Sequence, residues 1–363
     1  MVVNIGIVGL PSSGKSTLFN ALTRGAAETG RFGSGRAEIN QGRVLVPDER
    51  LGWLAGVYSP KKRTPASVDF LDAPGVRPGD SARGAASLIS DLRTVEALLQ
   101  VVRVFPDDSV PSPSGSVDAV RDAQDLDAEF LLADLAVAEN RLKRLESDRS
   151  KGLSTPELAE EEAVLGRVRD GLEEGTAIRC LGLDRREMLR LKGFAFLSAK
   201  PQILVGNVGE EEPGGGSADA GLRQLASETG REYLAVSAQI ESEIARMDEE
   251  EAGAFLEDLG IAEASRGRVI RTCFDLLSLI SFFTFGEDEC KAWTLPKGSS
   301  AVEAAGKIHS DISRGFIRAE IEPFEEFKAA GTWAAAKDAG KFRLEGRDYV
   351  MRDGDCVVFR FNV

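Results

Sequence analysis

Near its amino end the chain carries a glycine-rich loop that dictates the structure around it. The segment GLPSSGKS at residues 9–16 matches the phosphate-binding pattern G-x-x-x-x-G-K-[ST]. It follows an apolar, β-branched run at residues 3–9 and precedes apolar residues with helical spacing. A strand, a tight loop and a helix in this order predict the first unit of a mostly parallel, doubly wound α/β sheet.

This loop can bind a nucleoside triphosphate and its magnesium ion. The backbone N–H groups and the helix N-terminus can bind phosphate oxygens, Lys15 can reach the β- and γ-phosphates, and the Ser16 hydroxyl can ligate Mg²⁺. The nucleotide-contacting residues predicted here are Ser12, Ser13, Gly14, Lys15, Ser16 and Thr17.

A second motif, DAPG at residues 72–75, follows an apolar run at residues 67–71 that predicts a strand. Its Asp72 carboxylate can hold Mg²⁺ and its Gly75 amide can meet the γ-phosphate, as in the switch of a GTPase. We therefore predict Lys15, Asp72 and Gly75 as catalytic residues, with Ser16 and Asp72 as the metal ligands.

Two further strand ends supply residues that can face a nucleotide base, because such ligands bind at the carboxyl edge of a parallel sheet. The predicted base-contacting residues, which follow or end apolar runs at residues 202–206 and 232–236, are Asn207, Val208, Glu210, Ser237 and Ala238. Val208 and Glu210 depart from the guanine-reading pattern N-K-x-D and weaken the preference for guanine. GTP remains a competitor, since Glu210 still supplies a carboxylate.

Residues 125–195 interrupt the alternation of strands and helices. Apolar residues from Leu131 to Leu145 recur with gaps of 4, 3, 4 and 3, which is typical of a coiled-coil seam. A turn at residues 152–156 precedes a second apolar run that Glu161 interrupts. The pattern predicts a two-armed helical coiled coil, although a plain helical pair packed on the core has the same spacing.

After about residue 278, short β-branched or aromatic runs alternate with turns and predict a small β-rich domain. Strands are expected at residues 291–295, 316–321, 348–351 and 357–361. The predicted domains are therefore a nucleotide-binding domain at 1–124 and 196–277, an inserted helical arm at 125–195, and a terminal domain at 278–363.

The composition excludes several classes of protein. One histidine and four scattered cysteines cannot build a site of several histidines or a Cys-x-x-Cys zinc site. No apolar run approaches the roughly 18 residues of a membrane span, and the amino end lacks the pattern of a signal peptide. We expect a cytoplasmic protein with no membrane contact. The net charge of −14 requires any nucleic-acid contact to come from a local patch.

Several stretches resemble the YchF, or Obg-like ATPase, family over nearly the whole chain. They are GIVGLPSSGKSTLFNALT at residues 6–23, SGSVDAVRDAQDLDAEFLLADL at 114–135, FLEDLG at 255–260, and two blocks at 291–321 and 340–363. The resemblance implies a Ras-like P-loop NTPase domain with an inserted α-helical coiled coil and a C-terminal β-grasp-like TGS domain. It also implies an ATPase, often accepting GTP, that associates with ribosomes or structured RNA; we expect a monomer.

The chain departs from the family pattern at three places. Ser12 and Ser13 replace an Asn-Val pair whose Asn is associated with potassium coordination. Arg36 stands where a magnesium-binding Thr is usual, so Ser34 would have to substitute or the switch would be ordered differently. After the DxxG motif, Ras-like enzymes have a water-orienting Gln, whereas this chain has Val76, and the family is similar in this respect. Slow hydrolysis is therefore expected.

These observations favour a magnesium-dependent NTPase switch that acts on ribosomes. The alternative is a nucleotide-gated ribosome- or RNA-binding module whose hydrolysis is vestigial; a metabolic kinase is disfavoured because no acceptor-substrate lid is evident. In the terminal domain, Lys341, Arg343 and Arg347 surround Phe342. Basic residues interleaved with aromatics are typical of surfaces that contact RNA, although solvated surface charges produce the same pattern.

Overall fold

The computed structural model describes residues 3–24, 40–77, 79, 91–107, 109–112, 115–338, 340 and 342–362 of the chain. These residues form two compact units. The P-loop unit comprises Asn4–Arg43 and Asp69–Val269, and the C-terminal unit comprises mainly residues 44–68 and 270–362. The predicted domain boundaries, which assign residues 44–68 to the nucleotide-binding domain, remain a prediction.

The described secondary structure alternates strands and helices over most of the chain. The strands are β1 (Asn4–Val8), β2 (Asn40–Leu45), β3 (Lys62–Thr64), β4 (Ser67–Asp72), β5 (Ala97–Arg103), β6 (Gln202–Asn207), β7 (Glu232–Val236), β8 (Leu279–Thr284), β9 (Glu289–Pro296), β10 (Phe316–Pro323), β11 (Arg343–Glu345) and β12 (Asp355–Phe361). The helices are α1 (Lys15–Thr23), α2 (Glu49–Tyr58), α3 (Ala119–Ser150), α4 (Pro156–Glu173), α5 (Arg185–Leu191), α6 (Ala220–Glu228), α7 (Ala238–Ile244), α8 (Glu249–Asp258), α9 (Ser265–Leu276), α10 (Ala301–Ile308), α11 (Ser310–Arg314), α12 (Phe324–Ala330) and α13 (Trp333–Asp338).

The first sheet has the strand order β2-β4-β1-β5-β6-β7. β1 pairs in parallel with β4 and β5, and β6 pairs in parallel with β5 and β7. Every residue of β5 and β6 is buried, as expected for central strands that are covered on both faces. The predicted parallel α/β sheet is confirmed. Because these strands run the same way, the carboxyl ends of β1, β4, β6 and β7 meet at one edge.

The inserted segment forms a hairpin of two helices, α3 and α4, as predicted. α3 has 32 residues, which corresponds to about 48 Å at 1.5 Å per residue. The arms share an apolar core that includes Ala138, Leu165 and Val168. Glu161 does not disrupt this seam, because the guanidinium of Arg141 on α3 donates to its carboxylate at 2.7 and 3.0 Å.

In the C-terminal unit, a mixed sheet with the order β11-β10-β12-β8-β9-β3 packs against α10. The strand predicted at residues 348–351 is wrong: only Val350 forms a bridge, to Ser300, although Met351 is buried in the core. The sequence analysis also missed α2 and β3. Trp53 of α2 packs edge-on against Phe324 and Phe327, at 5.5 and 5.7 Å between ring centroids.

Residues 208–219 form the loop between β6 and α6, and this loop contains a fully buried carboxylate. The Asp219 side chain accepts hydrogen bonds from the Tyr233 hydroxyl at 2.5 Å and from the Gly216 amide at 2.9 Å. These bonds hold the loop beside the edge strand β7. Among the helices that the structure describes, none combines the length and apolarity needed to cross a membrane.

Candidate nucleotide-binding site

The loop between β1 and α1 turns through two left-handed residues. Ser12 has φ 64° and Gly14 has φ 88°, and α1 begins at the next residue, Lys15. Its N-cap residue, Gly14, has no side chain to cap the helix, so the first N–H groups are left for another acceptor. A helix N-terminus with free N–H groups attracts anions, as the predicted phosphate site requires. Ser16 and Ser12 are exposed, and Thr17 is half-buried.

Lys15 and Asp72 form the charged centre of this site. Burial lowers the pKa of the half-buried Lys15 ammonium, and the nearby Asp72 carboxylate acts in the opposite direction. Asp72 ends β4, is almost fully buried, and its Oδ1 has no hydrogen-bond partner among the described residues. A buried carboxylate oxygen without a donor is costly unless a cation or a water binds it.

This arrangement fits a magnesium ion. Mg²⁺ prefers oxygen ligands, and in nucleotide sites it takes one or two protein oxygens together with phosphates and waters. The orphaned Asp72 Oδ1 and the exposed hydroxyl of Ser16, in the first turn of α1, are oxygens of this kind. Nowhere in the described ranges do three His, Cys, Asp or Glu side chains form a cluster suited to a metal. The site would therefore depend on the nucleotide to complete its coordination.

The DxxG segment lies directly against the P-loop. The Val76 amide donates to the Gly9 carbonyl at 3.3 Å. A Cβ placed on Gly75 would lie 2.9 Å from the Pro11 nitrogen and 3.0 Å from its Cα, so only glycine fits without a shift of backbone. The structure thus brings together the two motifs that the sequence placed more than fifty residues apart.

Asn207 connects three elements of the predicted site. Its Nδ2 donates to the Ser13 carbonyl at 3.0 Å, and its Oδ1 accepts from the Ala238 amide at 3.0 Å. β6, the P-loop and α7 are therefore held by one buried side chain. Sequence analysis predicted Asn207 as a base contact and missed this positioning function. The Ser13 and Ser237 hydroxyls are buried and have no hydrogen-bond partner among the described residues.

A cleft of about 690 Å³ opens beside these residues. This volume is typical of a site for a nucleotide-sized ligand. The predicted site residues that line it are Gly14, Thr17, Asn207, Val208, Glu210, Ser237 and Ala238. Val208 is almost fully buried, whereas Glu210 is exposed. The cleft extends from the start of α1 to the carboxyl ends of β6 and β7, where a base was predicted to lie.

Arg103, which the sequence analysis missed, shapes one wall of the cleft. Its buried guanidinium donates to the carbonyls of Phe105, Asp107 and Val110 at 3.1, 2.7 and 2.8 Å. It also lies over the Phe105 ring, 4.6 Å from the centroid. Phe105, Asp107 and Val110 all line the cleft. An arginine at the end of a buried strand whose other residues, apart from Gln100, are apolar was the available signal.

The predictions for the first switch cannot be compared with the structure. Arg36 and Ser34, together with the glycine-rich loop at residues 30–35, lie outside the described residues. The same holds for Lys341 in the terminal domain, whereas Arg343, Arg347 and Phe342 are described.

Comparison with known proteins gives a consistent result along the chain. The family model YchF-GTPase_C, described as a protein of unknown function, matches residues 279–362, and a model described as a 50S ribosome-binding GTPase matches residues 4–140. The "Ribosome-binding ATPase YchF" of Bacillus subtilis is 41% identical over all of both chains. Its Haemophilus influenzae counterpart is 40% identical over 99% of each chain.

Similarity to a solved structure extends over the same length. The YchF GTPase of Schizosaccharomyces pombe superimposes with a TM-score of 0.85 at 31% sequence identity. The match covers 99% of this chain and 97% of the other. Both parts of the fold, the P-loop GTPase domain and the C-terminal domain, are therefore shared with that protein.

Proposed function

The chain belongs to the YchF family, and from that premise we propose that it is a Mg²⁺-dependent P-loop NTPase that binds and slowly hydrolyses ATP as a ribosome-associated switch. The observation that carries this proposal is the contact of the DxxG backbone with the P-loop beside the orphaned Asp72 carboxylate. GTP is a second substrate. The protein acts in the cytoplasm as a monomer, in keeping with relatives named for ribosome binding.

Each site residue has a defined part in this proposal. Lys15 and the N–H groups at the start of α1 bind the β- and γ-phosphates. Ser16 and Asp72 hold Mg²⁺, which would neutralise charge that develops on the phosphates. The Gly75 amide binds the γ-phosphate. Because Gly75 lies against Pro11 of the P-loop, loss of that phosphate would change the position of the DxxG segment. Asn207 and Arg103 position the base end of the cleft.

Hydrolysis by the isolated protein should be slow. Val76 packs in the core with Leu126 and Phe130 of α3, so its side chain can neither reach nor orient an attacking water. We expect turnover of about 10⁻⁴ to 10⁻² s⁻¹, as for unassisted GTPases, with weak stimulation by potassium because Ser12 replaces the usual Asn. Phosphate release measured with and without purified ribosomes tests the proposal.

The same assay distinguishes the proposed NTPase switch from the alternative function. Faster phosphate release in the presence of ribosomes would support a switch that is turned off by hydrolysis. Measurable nucleotide binding with no turnover in either condition would instead identify a nucleotide-gated binding module with vestigial hydrolysis. Fast turnover without ribosomes, or strong potassium activation, would contradict the account given for Val76 and Ser12.

Base preference is expected to depend on Val208 and Glu210. Replacing Val208 by Lys and Glu210 by Asp should shift preference toward GTP, because a close carboxylate suits the N1 and N2 donors of guanine. Competition between labelled ATP and GTP measures the shift. Val208→Lys alone is the control, since it carries the same cost of replacing a buried side chain. A wild-type protein that strongly selects GTP would show that Glu210 already reads guanine.

Ribosome or RNA contact is proposed for the TGS domain, with the coiled coil as a second contact. Residues 278–363 carry 12 basic and 14 acidic side chains, a net charge of −2 against −14 for the whole chain. Arg343 lies 5.8 Å from the Tyr349 ring centroid and Arg347 lies 5.8 Å from that of Phe316. This part of the chain is therefore less repelled by RNA and presents arginines beside aromatic rings.

Reversing two charges of this patch should weaken ribosome association. Lys341→Glu with Arg343→Glu replaces phosphate-binding cations by anions, and we expect about tenfold weaker association that remains sensitive to salt. Co-sedimentation with ribosomes measures it. Arg24→Glu with Arg246→Glu, which reverses two exposed arginines of the P-loop unit, is the control for net charge. Equal loss in both double variants, or no loss in the first, would direct attention to the hairpin tip near Lys151.

A further inference from the structure

The helix that begins the hairpin, α3, also packs against the DxxG segment. Leu126 and Phe130 of α3 belong to the same buried cluster as Ala73 and Val76 of that segment. Leu126 and Phe130 are four residues apart, so they lie on one face of the helix. α3 is a single helix of 32 residues, so the element that contacts the DxxG segment is also the first arm of the hairpin.

Glu129 is the charged residue on this apolar face of α3. It lies three residues after Leu126 and one before Phe130, and it is only 4% exposed. Its Oε1 accepts a hydrogen bond from the amide of Gly79 at 2.5 Å. Gly79 follows Gly75 by four residues. A carboxylate is costly to bury unless hydrogen bonds replace its hydration, and this bond ties the chain after the DxxG motif to α3.

The stretch that contains Gly75 is therefore held from two sides. On the side of the P-loop, the Val76 amide donates to the Gly9 carbonyl at 3.3 Å. On the side of α3, the Gly79 amide donates to Glu129 at 2.5 Å. Hydrogen bonds to an ionised acceptor are shorter and stronger than those between neutral groups. Of the two bonds, the one to Glu129 is the stronger anchor.

We propose that Glu129 is a positioning residue for recognition of the γ-phosphate, a role that rests on the proposed nucleotide site. By binding the Gly79 amide, Glu129 holds the Gly75 amide where a γ-phosphate can accept its hydrogen bond. ADP lacks that phosphate, so Glu129 contributes to the binding of ATP and little to the binding of ADP. Because Glu129 belongs to α3, the same bond links the bound nucleotide to the hairpin, and the linkage is reciprocal.

Affinities of the full chain for a non-hydrolysable ATP analogue and for ADP, measured by calorimetry with Mg²⁺, test this role. Glu129→Ala should weaken binding of the analogue by about tenfold, as expected for one hydrogen bond to a charged group, and binding of ADP by less than about twofold. Glu129→Gln keeps an oxygen acceptor without the charge and should weaken binding of the analogue by about threefold. It provides the test if the alanine variant does not fold. A purely structural role would weaken the binding of both nucleotides equally.

Hydrogen exchange tests the link to the hairpin in the same variants. In the wild type, amides of α3 near Glu129 should exchange more slowly with the ATP analogue bound than with ADP bound, because the γ-phosphate fixes the segment that Glu129 holds. The difference should disappear in Glu129→Ala. A difference that persisted in that variant, or that was absent from the wild type, would show that this bond does not connect the nucleotide to the hairpin.

Asp134, five residues further along α3, provides the matched control. Its fully buried carboxylate accepts hydrogen bonds from the Leu197 and Ser198 amides at 3.0 and 2.7 Å, away from the DxxG segment. Asp134→Asn removes the same charge from the same helix and should leave the ratio of the two affinities unchanged. An unchanged ratio in the folded Glu129 variants, or an equal fall in Asp134→Asn, would overturn this role and leave the proposed function intact. A wild type that bound neither nucleotide would overturn both.

Discussion

Lys15→Ala should lower affinity for ATP and GTP by about 10² to 10⁴-fold. The ammonium is expected to pair with both the β- and γ-phosphates, and charge-assisted hydrogen bonds contribute about 1.5 to 3 kcal/mol each. Two such bonds amount to about 3 to 6 kcal/mol, at 1.4 kcal/mol for each factor of ten in affinity. Isothermal titration calorimetry with each nucleotide in the presence of Mg²⁺ measures the loss.

The variant should nevertheless fold. Removing the ammonium relieves the desolvation that lowers the pKa of Lys15, but it also takes a cation from Asp72. These effects have opposite signs, so the free energy of unfolding should change by less than about 1 kcal/mol. Lys143→Ala, on the exposed face of α3, is the matched control and should bind nucleotide normally. Undiminished affinity in Lys15→Ala would reject the assignment of the P-loop.

The parts of the fold that sequence predicted well are those specified by local pattern. A continuous apolar run identified β6, since both faces of a central strand are covered. The P-loop and DxxG motifs could be assigned to one site because each follows a strand, and parallel strands end at the same edge. Leu131 to Leu145 indicated α3, because the helical period repeats over several turns.

The predictions failed where structure depends on contacts between distant segments. Tyr349 to Met351 has the composition of a strand, yet it forms only an isolated bridge with residues 299–301, while Met351 packs into the core and Val350 is exposed. α2 belongs to the C-terminal unit because Trp53 packs on Phe324 and Phe327, a pairing that no local pattern reveals. The bonds that Asn207 makes to Ser13 and Ala238 likewise join segments that are far apart in the sequence.

Gly14→Ala should disrupt the site through its geometry alone, without removing a charge. Gly14 has φ 88°, and a Cβ there would lie 2.1 Å from Nδ2 of Asn207, the atom that donates to the Ser13 carbonyl. The left-handed backbone costs an alanine about 1 to 2 kcal/mol, and loss of the Asn207 bond costs about 1 kcal/mol more. We expect the P-loop unit to be destabilised by about 2 to 3 kcal/mol and nucleotide binding to become undetectable.

Gly152→Ala distinguishes the strain of a left-handed backbone from the clash with Asn207. Gly152, at the turn of the hairpin, has φ 79°, but its Cβ would meet nothing within 4 Å. This variant therefore carries the backbone strain without the clash, and it should bind nucleotide normally. All three tryptophans lie in the C-terminal unit, so hydrogen exchange of peptides covering β1 and β6 is the appropriate measurement. If both variants lost protection equally and both still bound ATP, the contact with Asn207 would not be what holds the P-loop in place.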